Sequence, residues 1–108
     1  MCIRDRIWGM VGLMKGYVVC TYKSISDEKI LKKYAQQAIP AIQKYNGKIL
    51  IRGGNNLNYE GENSPRTVVI EFPSFESAKK YYNSEEYQKA HSIVKGTVVR
   101  NLQIVEGV

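Results

Sequence analysis

The chain has 108 residues, of which 44% are hydrophobic and 24% are charged. These values are typical of a globular domain and exclude a disordered, collagen-like or coiled-coil protein, and the length suits one domain without a second. The formal net charge of +6 makes an acidic partner worth testing. The lysines are interleaved with glutamates along the predicted helices, however, which favours a solvated basic surface.

The two cysteines, Cys2 and Cys20, form neither a C-x-x-C motif nor a metal-ligand spacing. Cys20 lies in the middle of a predicted strand, where a reduced and buried thiol is expected. No apolar run approaches the length of a membrane span. The sequence therefore predicts a cytoplasmic protein that does not enter the membrane.

The first thirteen residues differ in character from the rest of the chain. Met1–Leu13 contains two arginines followed by a short apolar stretch with two glycines, and it lacks the cleavage site of a signal peptide. Met14 stands directly before the first predicted strand and resembles a natural start. We therefore expect residues 1–13 to be a non-native or disordered extension and residues 14–108 to be one domain.

The first predicted elements are a strand and a long helix. Tyr17–Tyr22 is rich in β-branched and aromatic residues, which predicts a strand. Side-chain oxygens that can cap a helix follow it at Ser24, Ser26 and Asp27. Apolar residues then recur at steps of three and four as far as Tyr45, which is one face of a helix. Pro40 lacks a backbone donor, so we expect a kink or a restart there.

The second half of the chain predicts three more strands and one interrupted helix. Asn46-Gly47 is typical of a left-handed helix end, and Lys48–Arg52 then predicts the second strand. Thr67–Phe72 predicts the third strand. A helical apolar pattern follows, with an interruption at Asn83-Ser84, and Leu102–Glu106 predicts the fourth strand.

The element order β-α-β-β-α-β predicts an α+β domain of ferredoxin-like plan. Because crossovers are right-handed, this order gives a four-stranded antiparallel sheet with two helices on one face. Alternation along the first strand puts Val18, Cys20 and Tyr22 on one face and Tyr17, Val19 and Thr21 on the other, and both sets are largely apolar or aromatic, so the uncovered face is apolar in either case. A monomer would expose that apolar face to water, so we expect a homodimer in which two sheets cover each other.

Four motifs resemble a known family when taken in this order: Ile51–Gly54, Arg66–Phe75, Tyr82–Gln88 and Ile104–Gly107. They are similar to domain-of-unknown-function family 1330, and the resemblance covers essentially Met14–Val108. It implies a dimeric α/β barrel built from ferredoxin-like protomers, and it implies no established reaction.

The chain departs from the family pattern at Val94, where members often carry an arginine in the second helix. Any role of that arginine in binding an anion would have to fall to Lys95 or Arg100.

Arg52 and Glu71 are the candidate catalytic residues. Both are charged residues within apolar strands that we expect to be neighbours, the second and the third. In the functional interpretation, Glu71 is a general base with a raised pKa, and Arg52 holds an anionic or carbonyl substrate. The alternative is a structural salt bridge or a charge at the rim of the dimer.

Five further residues are candidates for substrate binding. Arg66 and Glu106 stand at strand ends, where sites are common, although an ion pair at the sheet edge would also explain them. Tyr17, Tyr82 and Tyr87 offer an apolar wall with a polar tip for a small ligand. The last two tyrosines would serve equally well to anchor the second helix on the sheet.

Neither a metal, a cofactor nor a nucleic acid is expected as a partner. His91 could ligate haem, as helical histidines do in related barrels. It is the only histidine of the chain, however, and it lies among polar residues of the predicted helix, which favours an ordinary surface residue. RNA-recognition domains share the element order, yet they stack bases on aromatic residues of the third strand, which Thr67–Glu71 lacks.

Two functional hypotheses follow from the sequence. In the first, a cavity of the homodimer binds or transforms a small organic molecule without a dedicated cofactor, by analogy with the fold. In the second, the protein is a non-catalytic ligand-binding or stress-related module. The sequence leaves open whether it is an enzyme.

Overall fold

The computed structural model describes residues 14–108, and the expectation about residues 1–13 concerns a segment outside this range. The described residues form four strands and three helices, in the order β1 (Gly16–Ile25), α1 (Glu28–Lys44), β2 (Lys48–Arg52), β3 (Arg66–Phe72), α2 (Phe75–Asn83), α3 (Glu85–Val94) and β4 (Val98–Glu106). The strands form one sheet in the order β2-β3-β1-β4, and all neighbours are antiparallel. The predicted four-stranded antiparallel sheet is therefore confirmed.

The helices cover one face of this sheet. Side chains at alternate positions of β1, such as Val18, Cys20 and Tyr22, are buried against them, while the intervening side chains are only half-buried. The main core combines residues of all three helices with residues of β1 and β3, namely Val18, Ala38, Ala41, Ile42, Ile70, Phe72, Ala78, Tyr81, Tyr87 and Ala90. We call the side of the sheet that packs on the helices the helix-facing side and the other the open face.

Two of the predicted elements differ in extent from the observed ones. The predicted second helix is two helices, because Ser84 adopts an extended backbone and ends α2 while capping α3. The fourth strand begins at Val98, four residues before the predicted start, because its pairing with β1 continues as far as Ile25. This extension places Arg100 inside a strand.

The first helix begins and ends as its sequence indicates. Asp27 caps it by accepting hydrogen bonds from the backbone N–H groups of Lys29 and Ile30, and Asn46 takes the left-handed conformation with a φ of 61°. The helix runs through Pro40 without a restart, because buried residues on both sides of the proline hold it against the core. Among residues 14–108, no helix combines the length and the apolar character that crossing a membrane would require.

Ser84 is the joint between α2 and α3. Ser84 is almost fully buried. Its hydroxyl donates to the carbonyl oxygen of Tyr81 at 2.7 Å, and the Ser84 Oγ accepts from the backbone N–H of Tyr87 at 3.1 Å. One hydroxyl therefore satisfies a carbonyl of one helix and an amide of the next.

We expect Ser84→Ala to lower the free energy of unfolding by about 1–2 kcal/mol, because it removes a helix cap and a buried hydrogen bond. Urea denaturation followed by circular dichroism would measure this. The matched control is Ser92→Ala on the exposed side of α3, which should change the value by less than about 0.5 kcal/mol. Equal losses in the two variants would contradict the role assigned to Ser84.

Candidate functional site

A cavity of about 640 Å³ lies between α1 and the helix-facing side of the sheet. α1 packs closely on α3 and also contributes Ala38, Ala41 and Ile42 to the core that it shares with β1 and β3. Most of its wall is apolar, with contributions from Val18, Leu31, Ala38, Ile42, Val68 and Ile70. Its polar wall consists mainly of arginines and tyrosines, namely Arg52, Arg66, Arg100, Tyr22, Tyr34 and Tyr87.

Arg100 is held by three tyrosine hydroxyls. Its Nη1 donates to the hydroxyl of Tyr22 at 3.1 Å and to that of Tyr34 at 3.3 Å, and its Nη2 donates to Tyr87 at 2.9 Å. The hydroxyls of Tyr34 and Tyr87 are themselves hydrogen-bonded at 3.0 Å. The guanidinium carbon also lies 5.2 Å from the ring centroid of Tyr34, within cation–π range. We call Arg100 and these three tyrosines the Arg100 cluster.

The hydroxyls of Tyr22 and Tyr87 stay protonated at neutral pH. Burial raises the pKa of Tyr22 to about 12 and raises the pKa of Tyr87 as well. Burial likewise raises the pKa of the Cys20 thiol at the cavity wall. These groups are therefore suited to donate hydrogen bonds to a ligand, and they are poorly suited to act as a base or a nucleophile.

Arg66 lies on the other side of Tyr22 from Arg100, because Tyr22 pairs with Arg66 of β3 and with Arg100 of β4. Its Nη1 approaches Gly53 so closely that a β-carbon there would lie 2.7 Å away, and Gly53 has a φ of +73°. The positive φ favours glycine at this position. The Nε of Arg66 is buried and has no hydrogen-bond partner within residues 14–108.

The cavity is strongly cationic. Besides its three arginines, Lys29 and Lys32 border it on α1, and Glu28 is the one carboxylate among its described lining residues. The ion pairs found between described residues all involve lysines, so none neutralises an arginine of the cavity. Such a lining attracts anions.

The structure separates the two predicted catalytic residues. Arg52 pairs with Val68 and points to the cavity, whereas Glu71 pairs with Lys48 and with Tyr17 and lies on the open face. The cause is a register shift in β2 between Ile49 and Ile51, which moves all later side chains to the opposite face. The expected pairing of Arg52 with Glu71 is therefore wrong.

On the open face, Glu71 has a different partner. The Tyr17 hydroxyl donates to its Oε2 at 3.0 Å, and this hydrogen bond is the main cause that raises the pKa of Tyr17. The predicted candidates Tyr17 and Glu71 are thus brought together, but away from the cavity.

The other candidates also divide between different places. Arg66 and Glu106 lie at opposite ends of β1, opposite Tyr22 and Gly16 respectively, so the expected ion pair between them is wrong. Tyr87 belongs to the Arg100 cluster. Tyr82 packs on the Tyr87 ring at a centroid distance of 5.0 Å and borders a second cavity of about 340 Å³.

His91 also borders that second cavity, beside Lys95 and the far side of Arg100. Its ring stacks on Tyr87 at 6.0 Å with an interplanar angle of 11°. Burial lowers its pKa, and the charges of Arg100 and Lys95 lower it further. Within the described part of the chain, no three histidine, cysteine or carboxylate side chains are grouped as a metal site would require.

Sequence reasoning missed the cluster around Arg100. The alternation Val98, Arg100, Leu102 and Ile104 places the arginine on the helix-facing side, but the signal appears only if the fourth strand starts at Val98. The apolar patterns of β1 and α1 place the rings of Tyr22 and Tyr34 on the sides that pack in the core, but these patterns do not show where the two hydroxyls meet.

We expect the free energy of unfolding to fall as the pH rises above about 10, since free tyrosine ionises there while Tyr22 in the folded protein has a pKa of about 12. Between these values the folded state binds more protons than the unfolded state, so a rise in pH favours unfolding. Tyr22→Phe should make this fall shallower. Urea denaturation between pH 9 and 12 would measure the slopes, with Tyr59→Phe, at an 86% exposed position, as the control. A slope that Tyr22→Phe leaves unchanged would contradict the prediction.

Comparison with solved structures finds the same fold in distant proteins. A protein of unknown function from Rhodopseudomonas palustris is 14% identical, with a TM-score of 0.72 over 89% of this chain and 84% of that one. A dimeric protein of unknown function and ferredoxin-like fold from Bacteroides fragilis is 18% identical, with a TM-score of 0.56 over 86% and 95%. SnoaB, a cofactor-independent oxygenase from Streptomyces nogalater, is 6% identical, with a TM-score of 0.56 over 86% and 91%.

The family relationship is more specific than these similarities of fold. No curated protein matches the chain. Residues 15–108, however, match the family described as "Domain of unknown function (DUF1330)", which agrees with the range of the motifs in the sequence. The chain belongs to this DUF1330 family.

Proposed function

We propose that the protein binds a small organic anion in the cavity between α1 and the sheet. The observation that carries this proposal is the presence of three cavity arginines without a carboxylate partner among the described residues. Arg52 is exposed, but Arg66 and Arg100 are half-buried, and a half-buried charge is normally paired because its partial removal from water is costly. An anionic ligand would supply the missing partner.

The rest of the cavity suits the body of such a ligand. Its volume of about 640 Å³ falls in the range of small-molecule sites, and its wall is mostly apolar with a few polar groups. The aromatic rings of Tyr34 and Tyr87 stand edge to face, with their centroids 6.2 Å apart, at the polar end. The ligand we propose therefore combines an acid group with an apolar or aromatic body.

Binding without acid–base catalysis is the function that the lining supports best. A general base must reach the substrate, and Glu71, the expected base, lies on the open face. Glu28 is exposed at the first turn of α1, and the pKa values of the Tyr22 and Tyr87 hydroxyls and of the Cys20 thiol are raised by burial. The chain shares its fold with the oxygenase SnoaB, but at 6% identity a common fold is no evidence that the two proteins share an activity.

We expect benzoate to bind the protein and benzamide, its uncharged counterpart, to bind at least about tenfold more weakly, because a charge-assisted hydrogen bond contributes about 1.5–3 kcal/mol. Ligand-observed NMR titration would measure both affinities. The double variant Arg52→Met/Arg66→Met should weaken benzoate binding by about tenfold or more.

The matched control is Lys33→Met/Lys89→Met, which removes two charges from exposed helix positions and should leave benzoate binding nearly unchanged. Equal losses in the two double variants would assign the effect to net charge. Failure of the wild-type protein to bind benzoate would contradict the proposal.

We also propose that the protein is a homodimer of the α/β-barrel kind, with the open faces of two sheets packed on each other. The open face carries apolar side chains in register across the strands, among them Val19, Ile51, Val69 and Val105. Ile51 and Val105 are 45% and 39% exposed in a single protomer. The protein of the same fold from Bacteroides fragilis is dimeric, which supports a dimer.

We expect Val69→Lys to convert the dimer into monomers, because it places a charge at the centre of the open face. Size-exclusion chromatography with light scattering would measure the mass. Gln37→Lys adds the same charge on the exposed surface of α1 and should leave the dimer intact. A wild-type protein that is monomeric at micromolar concentration would contradict the proposed dimer.

A further inference from the structure

The second cavity lies between α2, α3 and the edge strand β4, and it brings three basic side chains together. Its volume is about 340 Å³, and His91, Lys95 and Arg100 border it. No carboxylate is among its described lining residues. The ion pairs found within residues 14–108 all involve other lysines, so none of them neutralises Lys95 or Arg100. A concave surface lined by charges of one sign concentrates ions of the opposite sign.

The local fold determines how these groups meet. His91 lies in the last turn of α3, and Lys95 is the residue that ends this helix. Because they are four residues apart, they lie on the same side of the helix. Gly96 then takes a φ of 84° and turns the chain toward β4, which carries Arg100. A β-carbon at Gly96 would meet no atom within 4 Å, so the space beside this turn is open.

Arg100 and His91 are connected through Tyr87. Nη2 of the arginine donates to the Tyr87 hydroxyl at 2.9 Å, and the Tyr87 ring stacks on the His91 ring at a centroid distance of 6.0 Å. A neutral hydroxyl holds the guanidinium in place but does not cancel its charge. Arg100 is therefore a fixed positive charge at the wall of the second cavity.

The titratable groups that face His91 include no carboxylate among the described residues. They are Tyr82 from α2, Tyr87 and Lys95 from α3 and its end, and Arg100 from β4. Burial lowers the pKa of His91, and the charges of Arg100 and Lys95 lower it further. The C-terminal end of a helix on its own favours a positive charge. The three basic groups are thus close enough to repel one another, and an anion between them would relieve this repulsion.

We propose that the second cavity is a separate binding site for a small, doubly charged oxyanion such as a phosphate group. Two negative charges suit it because Lys95 and Arg100 are both charged at neutral pH and His91 can add a third positive charge. Its volume is about half that of the cavity between α1 and the sheet, so it suits a phosphate-sized group better than an acid with a large apolar body.

This site goes beyond the proposed function, because Arg100 and Leu102 alone among the described residues border both cavities. Since a bound anion favours the protonated form of His91, the oxyanion should bind more tightly as the pH falls through the range in which histidine titrates.

The test relies on His91 being the only histidine of the chain, so that its imidazole protons give unambiguous NMR signals. The pKa of His91 is measured on the full-length protein with sulfate as the probe, because sulfate keeps both charges where histidine titrates. We expect saturating sulfate to raise the pKa of His91 by about half a pH unit or more, which corresponds to about threefold tighter binding by the protonated form. Sodium chloride at the same ionic strength gives the contribution of screening and should raise the pKa less.

Variants are compared through the amide signal of Gly96, which borders the cavity. Lys95→Met should weaken sulfate binding about two- to fivefold, because it removes an exposed charge from the site. Lys89→Met is the matched control on α3; this exposed lysine borders neither cavity, and its loss should leave sulfate binding nearly unchanged. His91→Gln should remove the dependence of sulfate binding on pH.

Three outcomes would overturn the second site. They are a pKa of His91 that sulfate raises no more than sodium chloride does, equal losses in the two lysine variants, and a pH dependence that survives His91→Gln. These readouts do not depend on benzoate binding, and Arg52→Met/Arg66→Met should leave them unchanged because neither arginine borders the second cavity.

Inorganic phosphate and phenyl phosphate then separate the two sources of such a group. Tighter binding of phenyl phosphate would assign the site to a phosphate ester, and tighter binding of inorganic phosphate would assign it to the free ion. Binding of neither would overturn the proposal.

Discussion

The hydrogen bonds from Arg100 to three tyrosine hydroxyls join the layers of this domain at its cavity. Tyr22 lies on β1, Tyr34 on α1 and Tyr87 on α3, so one guanidinium group on β4 links the sheet to two helices. A carboxylate partner would have neutralised the arginine and turned the site into a structural ion pair. Hydroxyls hold the guanidinium in place without cancelling its charge, and they leave the cavity able to bind an anion.

The two faces of the sheet divide the candidate residues into two separate roles. The helix-facing side of β1 presents Cys20 and Tyr22 to the cavity, while the open face presents Tyr17 beside Glu71. Because side chains alternate strictly along a strand, no residue serves both faces. In the proposed function, the charged residues on the helix-facing side recognise a ligand inside the protomer, and those on the open face lie in the contact between protomers.

Most of the fold could be predicted because its periodicities are strong. The cap at Asp27, the turn at Asn46-Gly47 and the strand at Lys48–Arg52 follow from local chemistry and are observed. The site could not be predicted in the same way. A single shift of register in β2 turns Arg52 away from Glu71, and four further residues of pairing bring Arg100 into β4. The register of β2 and the length of β4 both depend on pairing with a neighbouring strand, and the local sequence does not show this pairing.

The position of the arginines in the sheet also explains how their spacing can be maintained. β1 is paired on both sides, with β3 and with β4, so Tyr22 lies between Arg66 and Arg100. In the proposed dimer this strand is covered on both faces as well. A site built on such a strand holds its side chains more precisely than a site built on loops. The loop before Arg66 contributes to the position of this arginine. Ser64 anchors it to the backbone of β1 and β3, and Gly53 gives the guanidinium of Arg66 the space it occupies.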